Sequence, residues 1–340
     1  MFRDNVLGVR FTRKVLDRAI EDIGTMFSTP NPADPAHPIQ QEQYQIGNPG
    51  FGTSVTDFQA LVGQPTAKAV RNYTAFEVRF EKRFTNNYYY NFSWTHSRLF
   101  GNYSGLASSD ETGRNAPNTN RYFDMPWITY DAHGNLSNGL LPTDRPNTFK
   151  AFWSYDFGYK LFGKKMDSNF SFSHFLYQGT PLSTTVNVEI FGTTDGLDNN
   201  VPIYPNGRGD LGRTPWLFQT DALFTQQFHI KENVKLRFQF NVLNLFNQDA
   251  VIDRSQAYIR TSSSTVSVSN EYNRPAITAL YSAPTFAQAI QLFLTNPGDW
   301  KTHLNPPTGH TASEFLNPFY NQPITWQPGR TARISVGVVF

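Results

Sequence analysis

Apolar and polar residues alternate along several segments of the chain, most regularly in residues 330–340. Positions 332, 334, 336, 338 and 340 are apolar, and the residues between them are polar or glycine except for Val339. Side chains alternate between the two faces of a strand, so this segment predicts a strand with one apolar and one polar face. Such a strand suits the edge or core of a soluble domain, and equally a sheet with lipid on one side and water on the other.

Seven further segments alternate in the same way, which gives about eight predicted strands in the chain. They span residues 5–15, 72–83, 88–99, 147–160, 166–177, 216–229 and 233–246. Their connections are of two kinds: short turns at 84–87, 161–165 and 230–232, and long loops at about 18–70, 100–146, 178–215 and 247–329. The pattern also predicts a helical turn at 56–62 and an amphipathic helix at 284–295.

Short turns and long loops alternate along the chain. In an antiparallel sheet every short turn therefore lies at one end and every long loop at the other. None of the 22 prolines falls inside a predicted strand, as a hydrogen-bonded ladder requires. Short turns on one side and long loops on the other are typical of outer-membrane barrels. The sequence therefore predicts an all-β fold in one domain spanning 1–340, with the strands of an antiparallel transmembrane β-barrel.

Net charge, hydropathy and aromatic content limit the classes of protein to which the chain can belong. The 340 residues have a net charge of +2, which gives no argument for nucleic-acid binding. Mean hydropathy is -0.46, and no apolar run is long enough for a transmembrane helix. The aromatic fraction of 15%, with 30 Phe and 16 Tyr, suits a lipid-facing surface and fits an aromatic-rich secreted β-protein nearly as well. The first residues resemble no signal peptide, so we expect a soluble chain or a piece of a longer one.

Catalytic and metal-binding patterns are weak, and we expect no enzyme, no cofactor and no metal site. Cysteine is absent, which excludes disulfides and thiol chemistry. The oxygen-rich segment 195–200 lacks the spacing of a calcium loop and is better explained as a solvated loop. Glu77 and Glu81 share a face, but a glycosidase pair is much less favoured than a polar wall. His96 and His174 lack metal-ligand spacing, which favours structural or lumenal roles.

The two parities give each strand a predicted environment. Lipid contact is predicted for Phe76, Val78, Phe80, Phe238, Phe240, Ile334, Val336 and Val338. Lumen lining is predicted for Glu77, Arg79, Lys235, Arg237 and Arg333. A small packed barrel could not bury so many charges without pairing each one, whereas a wide, wet lumen accommodates them.

Residues 238–247, Phe-Gln-Phe-Asn-Val-Leu-Asn-Leu-Phe-Asn, precede a loop and a terminal strand that ends at Phe340. This arrangement resembles the C-terminal end of TonB-dependent outer-membrane receptors, and 241–247 is its most specific part. Segments 73–105 and 144–150 resemble the Oar-like branch of that family. The resemblance implies a barrel of about 22 strands with an N-terminal plug and a TonB box. The chain shows about eight strands and neither of those parts, so the resemblance implies the C-terminal third of a receptor.

The resemblance also implies partners. These are outer-membrane lipid, the barrel-assembly machinery that reads the terminal strand at Phe340, and TonB only through the missing N-terminal part. An unidentified small ligand, such as a saccharide, peptide or chelate, would meet the lumen wall and the extracellular loops. The alternative is a soluble secreted β-sandwich that binds carbohydrate through loop aromatics. A closed eight-stranded pore is a third option, although its lumen is narrow for these charged side chains.

Overall fold

The computed structural model describes residues 4–29, 32, 39–52, 55, 67–104, 123, 129, 131, 135–189, 200–231, 233–258 and 311–340. Within these residues the sheets are antiparallel and the fold is all-β, which confirms that part of the prediction. A one-turn helix, α1, spans Ala312–Phe315, and Val55 is also helical. None of the described helical segments is long and apolar enough to cross a bilayer.

Eight long strands form the main sheet. They are β1 (Asn5–Val15), β4 (Arg71–Thr85), β5 (Tyr88–Gly101), β7 (Asn147–Leu161), β8 (Lys164–Tyr177), β11 (Leu217–Lys231), β12 (Val234–Leu243) and β15 (Thr331–Val339). They pair in chain order, each antiparallel to the next. These are the eight strands that alternation predicts, with ends shifted by a few residues. No pairing among the described residues joins β1 to β15, so the closed eight-stranded pore is not formed.

The short connections lie at one end of the main sheet, which we call the short-turn end. Asn86 and Asn87, with φ of 51° and 68°, link β4 to β5, and Phe162 and Gly163, with φ of 51° and 75°, link β7 to β8. Positive φ at both central positions makes the twist of a two-residue turn match the twist of its strands. Asparagine and glycine tolerate this conformation, and Phe162 adopts it while 94% exposed.

Additional strands lie within the predicted loops. They are β2 (Glu21–Thr29) with β3 (Ile39–Gly47), β9 (Val186–Glu189) with β10 (Asn200–Ile203), β13 (Val251–Arg254) with β14 (Pro323–Trp326), and β6 (Gly139–Leu140) beside β5. Alternation did not predict them, because four residues are too few to show a period and the polar Gln-Gln-Glu-Gln run of β3 lacks an apolar face. The predicted helices at 56–62 and 284–295 and residues 195–199 lie outside the described residues.

Residues that pair across the main sheet share a face, so the register shows which side chains lie together. One row crosses all eight strands: Asn5, Lys82, Tyr90, Trp153, Phe172, Ala222, Val242 and Ala332. The row begins at the short-turn end of β1 and reaches the opposite, long-loop end of β15. The strands are therefore staggered, as they are in a wall whose strands tilt against its axis.

The apolar face of the main sheet, defined as the face of this row, is largely exposed. Phe11 is 67% exposed, Phe240 45% and Ile334 76%. The deeply buried apolar side chains lie mostly at the long-loop end instead, where Phe123, Leu141 and Leu182 are almost fully buried. The fold thus consists of a sheet with one bare apolar face and a packed layer of loops at its long-loop end.

Candidate functional site

The polar face of the main sheet, opposite the apolar face, contains the predicted lumen-lining residues. Glu77 accepts a 2.9 Å hydrogen bond from the guanidinium of Arg10 on β1, its directly paired residue. Arg79 forms an ion pair with Glu81 on the same strand. These pairs neutralise charge on the β1–β4 side of the sheet.

Lys235, Arg237 and Arg333 lie on the other side of the polar face, on β12 and β15. β4 and β12 are separated by β5, β7, β8 and β11. The structure therefore brings together Glu77 with Arg79, and Lys235 with Arg237, but it does not form one cluster from all five residues. None of the three cations makes an ion pair with a described residue, so this side of the polar face is positively charged.

A recess of about 320 Å³ opens on the polar face near the short-turn end. Its lining comprises Asn87, Asp156, Phe157, Gly158, Asp167, Ser168, Asn169, Thr225 and Gln227. Asn169 donates to the Asp156 carboxylate, and Asp167 lies 2.6 Å from the His229 ring nitrogen. Carboxylate, amide and hydroxyl groups there can hydrogen-bond a polar solute. The sequence pattern did not predict the recess.

All eight predicted lipid-facing residues lie on the apolar face. The register aligns Val78 with Trp94 on β5, and Phe238 and Phe240 with Val336 and Ile334 on β15. On the strands between them, aromatic rings of the same face contact one another. Trp153 contacts Phe172 and Phe170 contacts Phe224, at centroid distances of 4.5 and 4.7 Å. Phe340 follows β15 and is 92% exposed.

His96 and His174 also lie on the apolar face, so neither lines the polar face, and a structural role fits both. His174 accepts a 3.3 Å hydrogen bond from the Trp153 indole, and its other ring nitrogen is 3.0 Å from the Thr220 hydroxyl. His96 contacts the side-chain oxygen of Asn147 at 3.1 Å. Among the described residues, no group of His, Asp and Glu could hold a metal ion.

A buried ion pair ties the long-loop connections to the main sheet. Asp144 is 1% exposed, and its carboxylate accepts from the Arg213 guanidinium and, at 2.5 Å, from the backbone N–H of Leu99 on β5. Arg213 also donates to the carbonyl of Gly179 at 3.0 Å. We call Leu99, Asp144, Gly179 and Arg213 the loop anchor, since it joins two of the long loops to one strand. A side chain at position 179 would lie 1.7 Å from the Thr214 carbonyl, so only glycine fits there.

Burial shifts the acidity of two groups at the long-loop end of the main sheet. The pKa of the Arg145 guanidinium is lowered by burial, and this side chain donates to the Gln178 carbonyl at 2.9 Å. The pKa of Tyr103 is raised well above its usual range by burial and by a hydrogen bond with Glu21. The raised pKa keeps the Tyr103 hydroxyl protonated at neutral pH.

The specific motif 241–247 forms the turn that ends β12. Asn244 and Asn247 adopt positive φ of 52° and 55°. The Asn244 amide donates to the carbonyls of Gln248 and Pro328 at 2.8 and 2.9 Å, and its backbone N–H donates to Asp221. The turn therefore holds the segment that enters β15, which explains why asparagine occupies this position.

Asn244→Ala is expected to destabilise the fold by about 2–3 kcal/mol. The change removes three side-chain hydrogen bonds, since Asn244 also accepts one at 2.9 Å from the backbone N–H of Gln248. It also forces alanine into a left-handed conformation. The midpoint of denaturant unfolding measures the loss. Asn244→Gly should lose the same hydrogen bonds without the backbone strain, so its midpoint should fall between those of wild type and Asn244→Ala. Equal midpoints for wild type and Asn244→Ala would contradict the assigned role.

Comparison with known proteins finds one informative similarity. Over 253 residues the chain is 28% identical to the TonB-dependent transporter Oar of Myxococcus xanthus. The alignment covers 74% of this chain and 20% of that transporter, so the chain spans about a fifth of the length of its relative. No family model matches the chain, and no solved structure matches it. The similarity supports a relationship to TonB-dependent receptors.

Proposed function

We propose that the chain forms the C-terminal part of the barrel of a TonB-dependent receptor in the outer membrane. Its polar face would line the lumen, its apolar face would contact lipid, and its long-loop end would face the outside of the cell. The observation on which this proposal depends is the continuous, exposed apolar face on a sheet whose opposite face is charged. A soluble protein rarely leaves so large an apolar surface uncovered.

The height of the apolar face fits an outer membrane. On β7 the aromatic positions of this face run from Phe149 to Tyr159. Ten residue steps of about 3.3 Å, tilted by roughly 40°, give a height of about 25 Å. That value equals the apolar band of outer-membrane barrels, about 25 Å.

The borders of the apolar face also have interfacial side chains. Tyr88 and Tyr159 lie near the short-turn end, and Trp216 lies at the long-loop end of β11. Lys82 bends its ammonium group to the carbonyls of Thr85 and Tyr88 at 2.7 and 3.2 Å. Aromatic girdles and lysines that reach the polar border are typical of membrane-spanning surfaces.

The remaining parts of the receptor would supply partner strands for the two edges of the main sheet. Unpaired backbone groups on β1 and β15 need partner strands inside a membrane, and further strands of a complete barrel would provide them. The proposed partners are outer-membrane lipid, the barrel-assembly machinery at Phe340, and TonB through another part of the receptor. We propose no enzymatic activity, and a small saccharide, peptide or chelate as the solute that meets the polar face.

The carbohydrate-binding β-sandwich is less well supported. A sandwich places a second sheet about 10 Å from the apolar face of the first. Phe76, Phe92 and Phe238 are each about 40% exposed, which such a covering sheet would prevent.

Cysteine labelling tests the proposed function, because the native chain contains no cysteine. Phe224 and Thr225 are neighbours on the central strand β11 and lie on opposite faces. In reconstituted bilayers, Thr225→Cys should react with a charged, water-soluble maleimide, whereas Phe224→Cys should react only with an apolar maleimide. Equal reaction of both variants with the charged reagent would contradict a membrane-spanning wall.

A further inference from the structure

One row of the apolar face, at the long-loop end, contains two arginines in place of apolar side chains. The register pairs Arg13 of β1 with Thr74 of β4, and Thr74 with Arg98 of β5. All three side chains are exposed. Two strand spacings place the Cα atoms of Arg13 and Arg98 about 10 Å apart. Two long guanidinium side chains at this separation can both reach one phosphate group.

The two arginines have no acidic partner among the described residues. Arg10 and Arg79 on the polar face, by contrast, pair with Glu77 and Glu81. The guanidinium of Arg98 lies over the Phe100 ring, 4.4 Å from its centroid, and this contact holds it at the border of the apolar face. The row thus presents two uncompensated positive charges to whatever lies against the apolar face.

An apolar recess of about 500 Å³ lies on the same face, closer to the middle of the sheet. Val78, Phe92, Trp94, Phe149, Ala151 and Leu176 are among its lining residues. The register places the small Ala151 between Phe92 and His174, which leaves room between two ring side chains. Trp94 lies four residues inward from Arg98 on β5, about 13 Å along the strand.

We propose that Arg13, Arg98 and the apolar recess together bind one phosphorylated lipid, with its phosphate on the arginines and an acyl chain in the recess. This inference rests on the proposed function, since it needs the apolar face to lie in a bilayer. The separation of about 13 Å fits within one leaflet, whose hydrocarbon layer is about 15 Å thick. Charge complementarity selects an anionic headgroup, and continuity with the rest of the apolar face selects a lipid as the occupant.

Tryptophan quenching by lipids with brominated chains tests the proposal. The chain is reconstituted in phosphatidylcholine bilayers that contain a small fraction of brominated phosphatidic acid or brominated phosphatidylcholine. We expect half-maximal quenching at about a tenfold lower fraction of the phosphatidic acid, because two arginines at a bilayer surface each favour an anionic lipid. Trp94→Phe should remove this extra quenching, which locates the bound chain in the recess.

Variants distinguish the site from general attraction to a charged bilayer. The double variant Arg13→Ser with Arg98→Ser should quench equally with both brominated lipids. Arg83→Ser is a matched control, because Arg83 is exposed on the polar face near the short-turn end. This variant should keep the wild-type preference for brominated phosphatidic acid. Loss of the preference in Arg83→Ser would show a nonspecific effect of protein charge and overturn the proposal.

Two further outcomes separate this proposal from the proposed function. Quenching of the wild-type protein by both brominated lipids with no preference would overturn the lipid site and leave the membrane wall intact. Absence of quenching by either lipid would show that the apolar face does not meet lipid, and both proposals would then fail.

Discussion

Phe238→Arg is expected to weaken bilayer insertion by about 2–4 kcal/mol, whereas Gln239→Arg should change it by much less. An arginine on the lipid face of a barrel strand costs this amount near the midplane, and a lumenal arginine stays hydrated. Phe238 lies near the middle of β12 and pairs with Val336, while Gln239 pairs with Ser335. The two positions thus differ in face and hardly differ in depth.

Insertion into phosphatidylcholine vesicles, measured by denaturant titration of tryptophan fluorescence, gives the free-energy difference. Phe238 makes an edge-to-face contact with Phe228 at a centroid distance of 5.5 Å, so Phe238→Arg also loses packing. Phe238→Ala is therefore the control, and it should retain much more stability than the arginine variant because it adds no charge to the lipid face. Similar losses for Phe238→Arg and Gln239→Arg would remove the two-faced assignment.

The long strands could be predicted from the sequence because alternation is a property of single residues. β7 shows this well, since five of its apolar-parity positions hold aromatic residues that the structure places on one face. The three predicted short turns correspond to the β4–β5, β7–β8 and β11–β12 pairs of the structure, because a short turn forces the strands beside it to pair. β3 was missed for the opposite reason, since its polar run shows no apolar face.

The candidate site was predictable only as far as it depends on strand parity. The alternation put Glu77 and Arg79 on the polar face, but it could not show that Glu77 meets Arg10, which is 67 positions away along the chain. The loop anchor was likewise invisible, because Asp144 and Arg213 are joined across two loops. The segment 144–150 resembles the Oar-like branch, and the structure shows that its first residue, Asp144, forms the buried ion pair with Arg213.

Asp144→Asn is expected to loosen the layer of loops by about 3 kcal/mol. Removing one charge of a buried ion pair leaves the other charge without compensation in a poorly hydrated place, and the loss is typically about 3–5 kcal/mol. Arg213 remains 21% exposed, so the lower part of that range applies. The asparagine side chain can still accept from the Leu99 N–H, which isolates the effect of the charge.

Hydrogen exchange of the backbone amides of Leu99, Leu182 and Thr214 would measure this loss. These N–H groups donate to Asp144, to the Gly212 carbonyl and to the Thr180 carbonyl, and faster exchange is expected at all three in Asp144→Asn. Glu81→Gln is the matched control, since it removes an exposed ion pair with Arg79, for which about 0–1 kcal/mol is typical. The loop anchor joins two long loops to β5, so a stability loss confined to Asp144→Asn would mark it as the element that holds the long-loop end in place. Equal exchange in the two variants would instead mean that the loops hold their positions without this ion pair.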